Sequence, residues 1–107
     1  MLHVRFQRVR PDKVERLRAW MTELAGRADE VRETFAQEGV HAEKAWLIHT
    51  ADGVVLAYAL IVDDIDAAFA AHRASTLPID HEHAAVMQEI DGGPLDVEQI
   101  WEMLAKE

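Results

Sequence analysis

Nine consecutive residues, Val54 to Val62, carry no polar group except the Tyr58 hydroxyl. The run is far too short to cross a membrane, which takes about 20 residues. Its valines, isoleucine and aromatic suit a strand. A strand apolar on both faces is normally covered on both faces. The chain must manage this with 107 residues, one domain spanning residues 1–107. At that length folding hides roughly 65% of the chain's surface, and half of the residues are apolar.

The neighbours of this strand are legible from their periods. Leu2, Val4 and Phe6 alternate with His3, Arg5 and Gln7, so residues 2–9 read as a strand. Pro11 suits a first helical position, and Asp12 and Glu15 place negative charge in the first turn. Val14, Leu17, Met21, Leu24, Ala28, Val31 and Phe35 then recur at alternating spacings of 3 and 4. That stripe predicts a helix over 11–38, stopped by Gly39. Such a helix would span roughly 42 Å, against about 27 Å for an eight-residue strand. It must overhang the sheet, bend near Gly26 or meet a coiled-coil partner. Residues 40–49 and 54–62 form a hairpin around Ala51-Asp52-Gly53. The first of these strands has mixed faces and suits an edge. Asp63 or Asp64 caps a helix bearing Ile65, Ala68, Phe69 and His72, and a short helix follows from Asp80. Asp91-Gly92-Gly93-Pro94 reads as a turn. Residues 95–104 fit a helical stripe by propensity and strand alternation by pattern.

Charge and composition narrow the function. There are 11 basic and 20 acidic residues, a net charge of −9. Phosphate backbones and anionic membrane surfaces select the opposite sign, so neither nucleic acid nor membrane is an expected partner. No cysteine is present, which removes disulfides, thiolate nucleophiles and cysteine-held metals. The alternating, basic N-terminus is not a signal core, so a cytoplasmic location is expected. No glycine-rich phosphate loop and no serine nucleophile motif occurs. The sequence therefore predicts no cofactor and no metal.

If residues 95–104 are a strand, the order is β-α-β-β-α-β. The expected fold is α+β, a ferredoxin-like subunit with a four-stranded antiparallel sheet and helices on one face. The other face then needs a cover, and a second copy of the chain is the simplest one. The expected assembly is a homodimer.

Three segments carry a family resemblance: Val4-Arg5-Phe6-Gln7-Arg8-Val9-Arg10-Pro11, the long helix with Trp20, and Ser75-Thr76-Leu77-Pro78-Ile79-Asp80-His81-Glu82-His83. With the element order they resemble the dimeric α/β-barrel superfamily, and within it a small uncharacterised bacterial group. The resemblance spans nearly the whole chain and implies a fourth strand at 95–104 and a barrel made by two subunits. The superfamily includes cofactor-free monooxygenases, haem-degrading enzymes, isomerases, cyclases and binding proteins, so it implies no single activity.

Histidines are the chemical candidates, because they titrate near neutral pH. In Asp80-His81-Glu82-His83 the two imidazoles lie about 200° apart on a helix and do not converge on a metal. Asp80 reads first as an N-cap accepting the His83 amide. In a second reading His83 points into a cleft as base or hydrogen-bond donor, with Asp80 or Glu82 beside it. His72 lies on an apolar helix face, as a core residue or at the cleft. His41 and His49 read as surface. With Leu2, Val4 and Phe6 toward the helices, His3, Arg5 and Gln7 would face the dimer interior. Arg5 would there need a carboxylate such as Glu43, or an anionic ligand. Trp20, Trp46 and Tyr58 would shape the cleft, with Trp46 under a helix. The expected function is binding or transforming a small hydrophobic or aromatic molecule by cofactor-free acid–base chemistry, with His83, Asp80 and His72 nearest the reaction. The alternative is a non-catalytic homodimeric binding or assembly protein whose cleft is filled by Phe35, Phe69 and Trp46.

Overall fold

The computed structural model describes residues 1–105. Strand β1 (Leu2–Val9) leads through a 3-10 turn (Pro11–Lys13) into α1 (Val14–Ala25) and α2 (Ala28–Glu38). The hairpin β2 (Val40–Thr50) and β3 (Gly53–Val62) follows, then α3 (Ile65–Ala74), α4 (Pro78–Ile90) and β4 (Asp91–Pro94). The sheet is antiparallel with order β2-β3-β1-β4, so the two-faced β3 is interior and β2 is an edge, as its composition demands. This is an open α+β sheet with four helices, consistent with a ferredoxin-like fold.

The predicted helix over 11–38 is two helices. Gly26 ends α1, its amide reaching the Thr22 and Glu23 carbonyls. Arg27 then ties the break together, its guanidinium 2.7 Å from Glu23, Glu30 and Glu82. The break resolves the length mismatch, since a 12-residue α1 is only about 18 Å long.

The helices cover the face of β3 that carries Leu56 and Val62, which are almost fully buried. Around Leu56 pack Val9, Leu17, Trp20, Ile79, Val86 and Ile90, a core drawn from β1, α1 and α4. The opposite face is open, with Leu2, Val4, Phe6, Trp46, Ile48 and Ile61 all exposed. Only the small residues between them, such as Ala57 beside Phe6 and Trp46, are shielded.

The expected orientation of β1 is thereby reversed. His3 meets the Phe69 ring edge-on at 6.0 Å, and the Arg5 guanidinium lies 5.3 Å from the same centroid. The polar row thus faces the helices, and Leu2, Val4 and Phe6 face outward. Register dictates this: Arg5 pairs with Tyr58, on the bulky face of β3. Alternation fixes the period but not which face turns inward. Trp46 is corrected for the same reason. It pairs with Ala57 on the open face and is half exposed rather than packed under a helix.

Two further expectations change at the C-terminal end. The fourth strand is not 95–104 but Asp91–Pro94, read from sequence as a turn. It pairs with Gln7 and Val9, and a Cβ on Gly92 would come within 3.0 Å of the β1 backbone. Glycine is therefore what lets this edge close. Residues 95–104 carry neither helix nor strand. Val97, Ile100, Trp101, Met103 and Leu104 on this arm are exposed. No helix among the described residues is long and apolar enough to cross a membrane.

Gly39 joins α2 to β2 at φ +70°, and a Cβ there would sit 3.2 Å from Asp63 Oδ2. Gly39→Ala is expected to cost about 1–2 kcal/mol, read as a lower denaturant midpoint with unchanged slope.

Candidate functional site

Pro78 occupies the first turn of α4, so the N-cap is Leu77 and Asp80 lies inside the helix. The expectation that Asp80 caps the helix is therefore corrected. Its side chain is buried, 5% exposed, and turns to α2 and the α3–α4 link. Thr34 Oγ1 donates to Oδ1 at 2.6 Å and Ser75 Oγ to Oδ2 at 2.5 Å. A buried carboxylate is tolerable only when its oxygens are met in this way.

Asp80 belongs to a small cluster. His72 Nδ1 on α3 lies 3.1 Å from Glu38 Oε2 at the end of α2 and 3.7 Å from Asp80 Oδ1. Burial pushes the Glu38 carboxyl up, and the Asp80 charge adds to this while His72 opposes it. Glu38 escaped the sequence reading, although a signal existed. It is the next position of the 3-4 stripe after Val31 and Phe35, a charge where an apolar residue was due.

His83, one turn along α4 from Asp80, has a different neighbour. Trp20 Nε1–H, buried in the core, donates to His83 Nδ1 at 2.9 Å. An imidazole accepting at Nδ1 and neutral overall carries its proton on Nε2. Burial drives the His83 pKa down to about 4, with His72 and Arg5 contributing. His83 is thus a neutral hydrogen-bond donor at ordinary pH. With Nδ1 occupied by the Trp20 N–H, the geometry favours His83 as a donor over His83 as a base. The other members of the sequence motif are elsewhere: His81 Nε2 donates to the Ser75 carbonyl and Glu82 pairs with Arg27.

These groups share one cavity of about 140 Å³ between helices and sheet. His72, Asp80, His83, Glu38, Glu43 and Arg5 supply its polar lining. Leu24, Val31, Phe35, Leu60, Ile65 and Phe69 supply apolar walls. Phe35 and Phe69 line the space without filling it. Glu43 is exposed at the cavity mouth, and desolvation of its carboxyl against the cavity, with Glu38 second, pushes it up to about 7. Arg5 stacks on Phe69, and no ion pair within 4.0 Å joins it to Glu43 among the described residues.

The aromatic expectations divide. Trp20 and Tyr58 stand behind His83 and not in the cavity wall. Tyr58 meets the His83 ring edge-on at 6.3 Å, and its hydroxyl reaches Met21 Sδ at 3.9 Å. Trp46 lines a separate shallow cleft with Leu17 and Met21 and lies apart from the histidines. His41 is exposed and pairs with Asp63.

An open α+β sheet with a histidine–carboxylate cavity beneath its helices is the class that fold and site define. The chain matches DUF6176, a family of unknown function, over residues 2–105 and belongs to it. It is similar in fold to the structure of Rv0793 from Mycobacterium tuberculosis, at 22% identity and TM-score 0.53. That match covers 94% of this chain and 95% of the other. No curated protein matches the sequence.

The His83 environment has a measurable consequence. Its folded pKa lies below its ordinary value of 6.5, so folding excludes a proton that the unfolded chain binds. The associated stability is complete above about pH 6.5 and is lost as pH falls toward 4, on the order of 3 kcal/mol. Glu43 has the opposite sign, losing stability as pH rises toward 7. Chemical denaturation across pH 4–7 should give a slope that steepens in Glu43→Gln and flattens in His83→Gln.

Proposed function

We propose that the cavity binds a small, largely apolar organic molecule and catalyses proton transfer on it. His83 donates a hydrogen bond to an oxygen of the molecule, and the Glu38–His72–Asp80 cluster provides the proton acceptor. One observation carries this reading: a fixed donor and a group of acceptors face the same small cavity. A neutral imidazole N–H can stabilise oxygen charge that develops in a transition state without losing its own proton. The apolar walls give such hydrogen bonds a low-dielectric setting.

Size limits the ligand. Drug-like pockets run to about 300 Å³ or more, whereas about 150 Å³ accommodates a benzene-sized molecule. The occupant is therefore about one six-membered ring with an oxygen substituent.

The open sheet face supports a second element of the reading, a homodimer of the dimeric α/β-barrel type. Leu2, Val4, Phe6, Trp46, Ile48 and Ile61 form an apolar surface on one side of the sheet. Patches of this kind mark interaction sites, and a self-complementary face suits a two-fold pair. The exposed apolar arm after Pro94 is available to lie along a partner.

Cyclohexanone and benzaldehyde are suitable first probes. Saturable ligand-observed NMR broadening is expected for both and should vanish in Phe69→Trp, which fills the cavity. Deuterium uptake from D2O at the carbon beside the cyclohexanone carbonyl should fall at least about a hundredfold in His72→Gln and His83→Gln. Absence of binding by either probe would favour the non-catalytic assembly reading. Light scattering should give twice the subunit mass, and Phe6→Glu should give the monomer.

A further inference from the structure

Glu38, His72 and Asp80 come from three different helices, and one ligand atom of each lies within 4.8 Å of the others. Two of the separations are 3.1 and 3.7 Å. Around an ion with bonds of about 2.1 Å, neighbouring ligand atoms stand about 3.0–3.4 Å apart. The Glu38–His72 separation falls in that range, and the Asp80 oxygen stands slightly beyond it, so a small closing movement would bring the three atoms onto a common ion.

Hydrogen bonds meet the oxygens of the cluster but supply little positive charge. His72 Nδ1 carries at most one proton, yet two carboxylate oxygens face it. The proton serves Glu38 at 3.1 Å, and Asp80 at 3.7 Å is beyond hydrogen-bond range. Among the described residues no lysine or arginine nitrogen lies within 4.0 Å of either carboxylate. The lone guanidinium in the lining belongs to Arg5, engaged with Phe69. Two largely buried carboxylates therefore share one imidazole as their counter-charge.

The surroundings are also those of a metal centre. Thr34 and Ser75 hydroxyls hold both oxygens of Asp80, leaving it little freedom to rotate. Such outer hydrogen bonds orient metal-binding carboxylates. One side of the cluster opens into the cavity, so a bound ion would keep positions for water or ligand. His83 is not a ligand. Its Nδ1 is taken by Trp20, which leaves the proton on Nε2.

We propose that Glu38, His72 and Asp80 form a binding site for one first-row divalent cation. One nitrogen and two carboxylates suit zinc, manganese or ferrous iron. This inference deepens the proton-transfer reading by assigning the acceptor role to water on the cation, whose pKa such an ion lowers.

The metal alone tests the site. Protein stripped with EDTA and exchanged into chelator-free buffer is titrated calorimetrically with ZnCl2, then with MnCl2. One ion per chain is expected. Affinity should fall at least tenfold in Glu38→Gln and a hundredfold in His72→Gln, and stay unchanged in His41→Ala, the exposed histidine–carboxylate pair. Circular dichroism melts establish that the variants are folded, and Glu38→Gln preserves shape if His72→Gln does not. Failure of both ions to bind, or binding that survives Glu38→Gln and His72→Gln, overturns the site. Deuterium exchange without any bound metal would overturn the metal and leave the proton-transfer reading standing. Metal binding without any organic ligand would support the site and remove that reading.

Discussion

Trp20 is the largest fully buried side chain, and its indole has a single N–H to satisfy. Burying that donor unpaired would cost about 1–3 kcal/mol. The partner is His83 Nδ1, 63 residues away on α4. This bond has two effects at once. It joins α1 to α4 through the core that also holds Leu17, Ile79, Val86 and Ile90. It also decides which nitrogen of His83 keeps the proton, and so turns a core contact into a directed hydrogen-bond donor. The desolvation that comes with the core keeps that imidazole neutral.

The site exists because helix breaks bring distant residues together. Without the interruption at Gly26 and Arg27, α1 and α2 would run past the sheet. With it, α2 can place Thr34 and Glu38 beside α3 and α4. Pro78 plays the matching part between α3 and α4. By starting α4 two residues before Asp80, it moves that carboxylate from a solvent-facing cap position into the interior.

The sequence made much of this legible and misread specific parts for physical reasons. Periodicity located β1, the hairpin, the stop at Gly39 and the helix that carries His72, and β3 announced an interior strand. His72, Asp80, His83 and Arg5 do meet at one cavity. Alternation could not say which face of β1 turned inward, since both faces of this sheet are rich in apolar groups. Glu38 showed itself only as a charge in an apolar stripe, and its partners come from other helices, at separations that no local motif encodes. The same separation concealed the cluster, since Glu38 and His72 lie outside the Asp80-His81-Glu82-His83 run, on other helices. Asp91–Pro94 looked like a turn because its glycines suit one, yet they allow close strand pairing with β1.

The donor in the cavity depends on the protonation of one ring. A two-bond proton–nitrogen NMR spectrum of the imidazoles at pH 6 tests it most directly. The predicted result for His83 is the neutral pattern with the proton on Nε2, and its disturbance in Trp20→Phe. An imidazolium pattern would contradict the neutral ring, and a proton on Nδ1 would also remove the donor from the cavity.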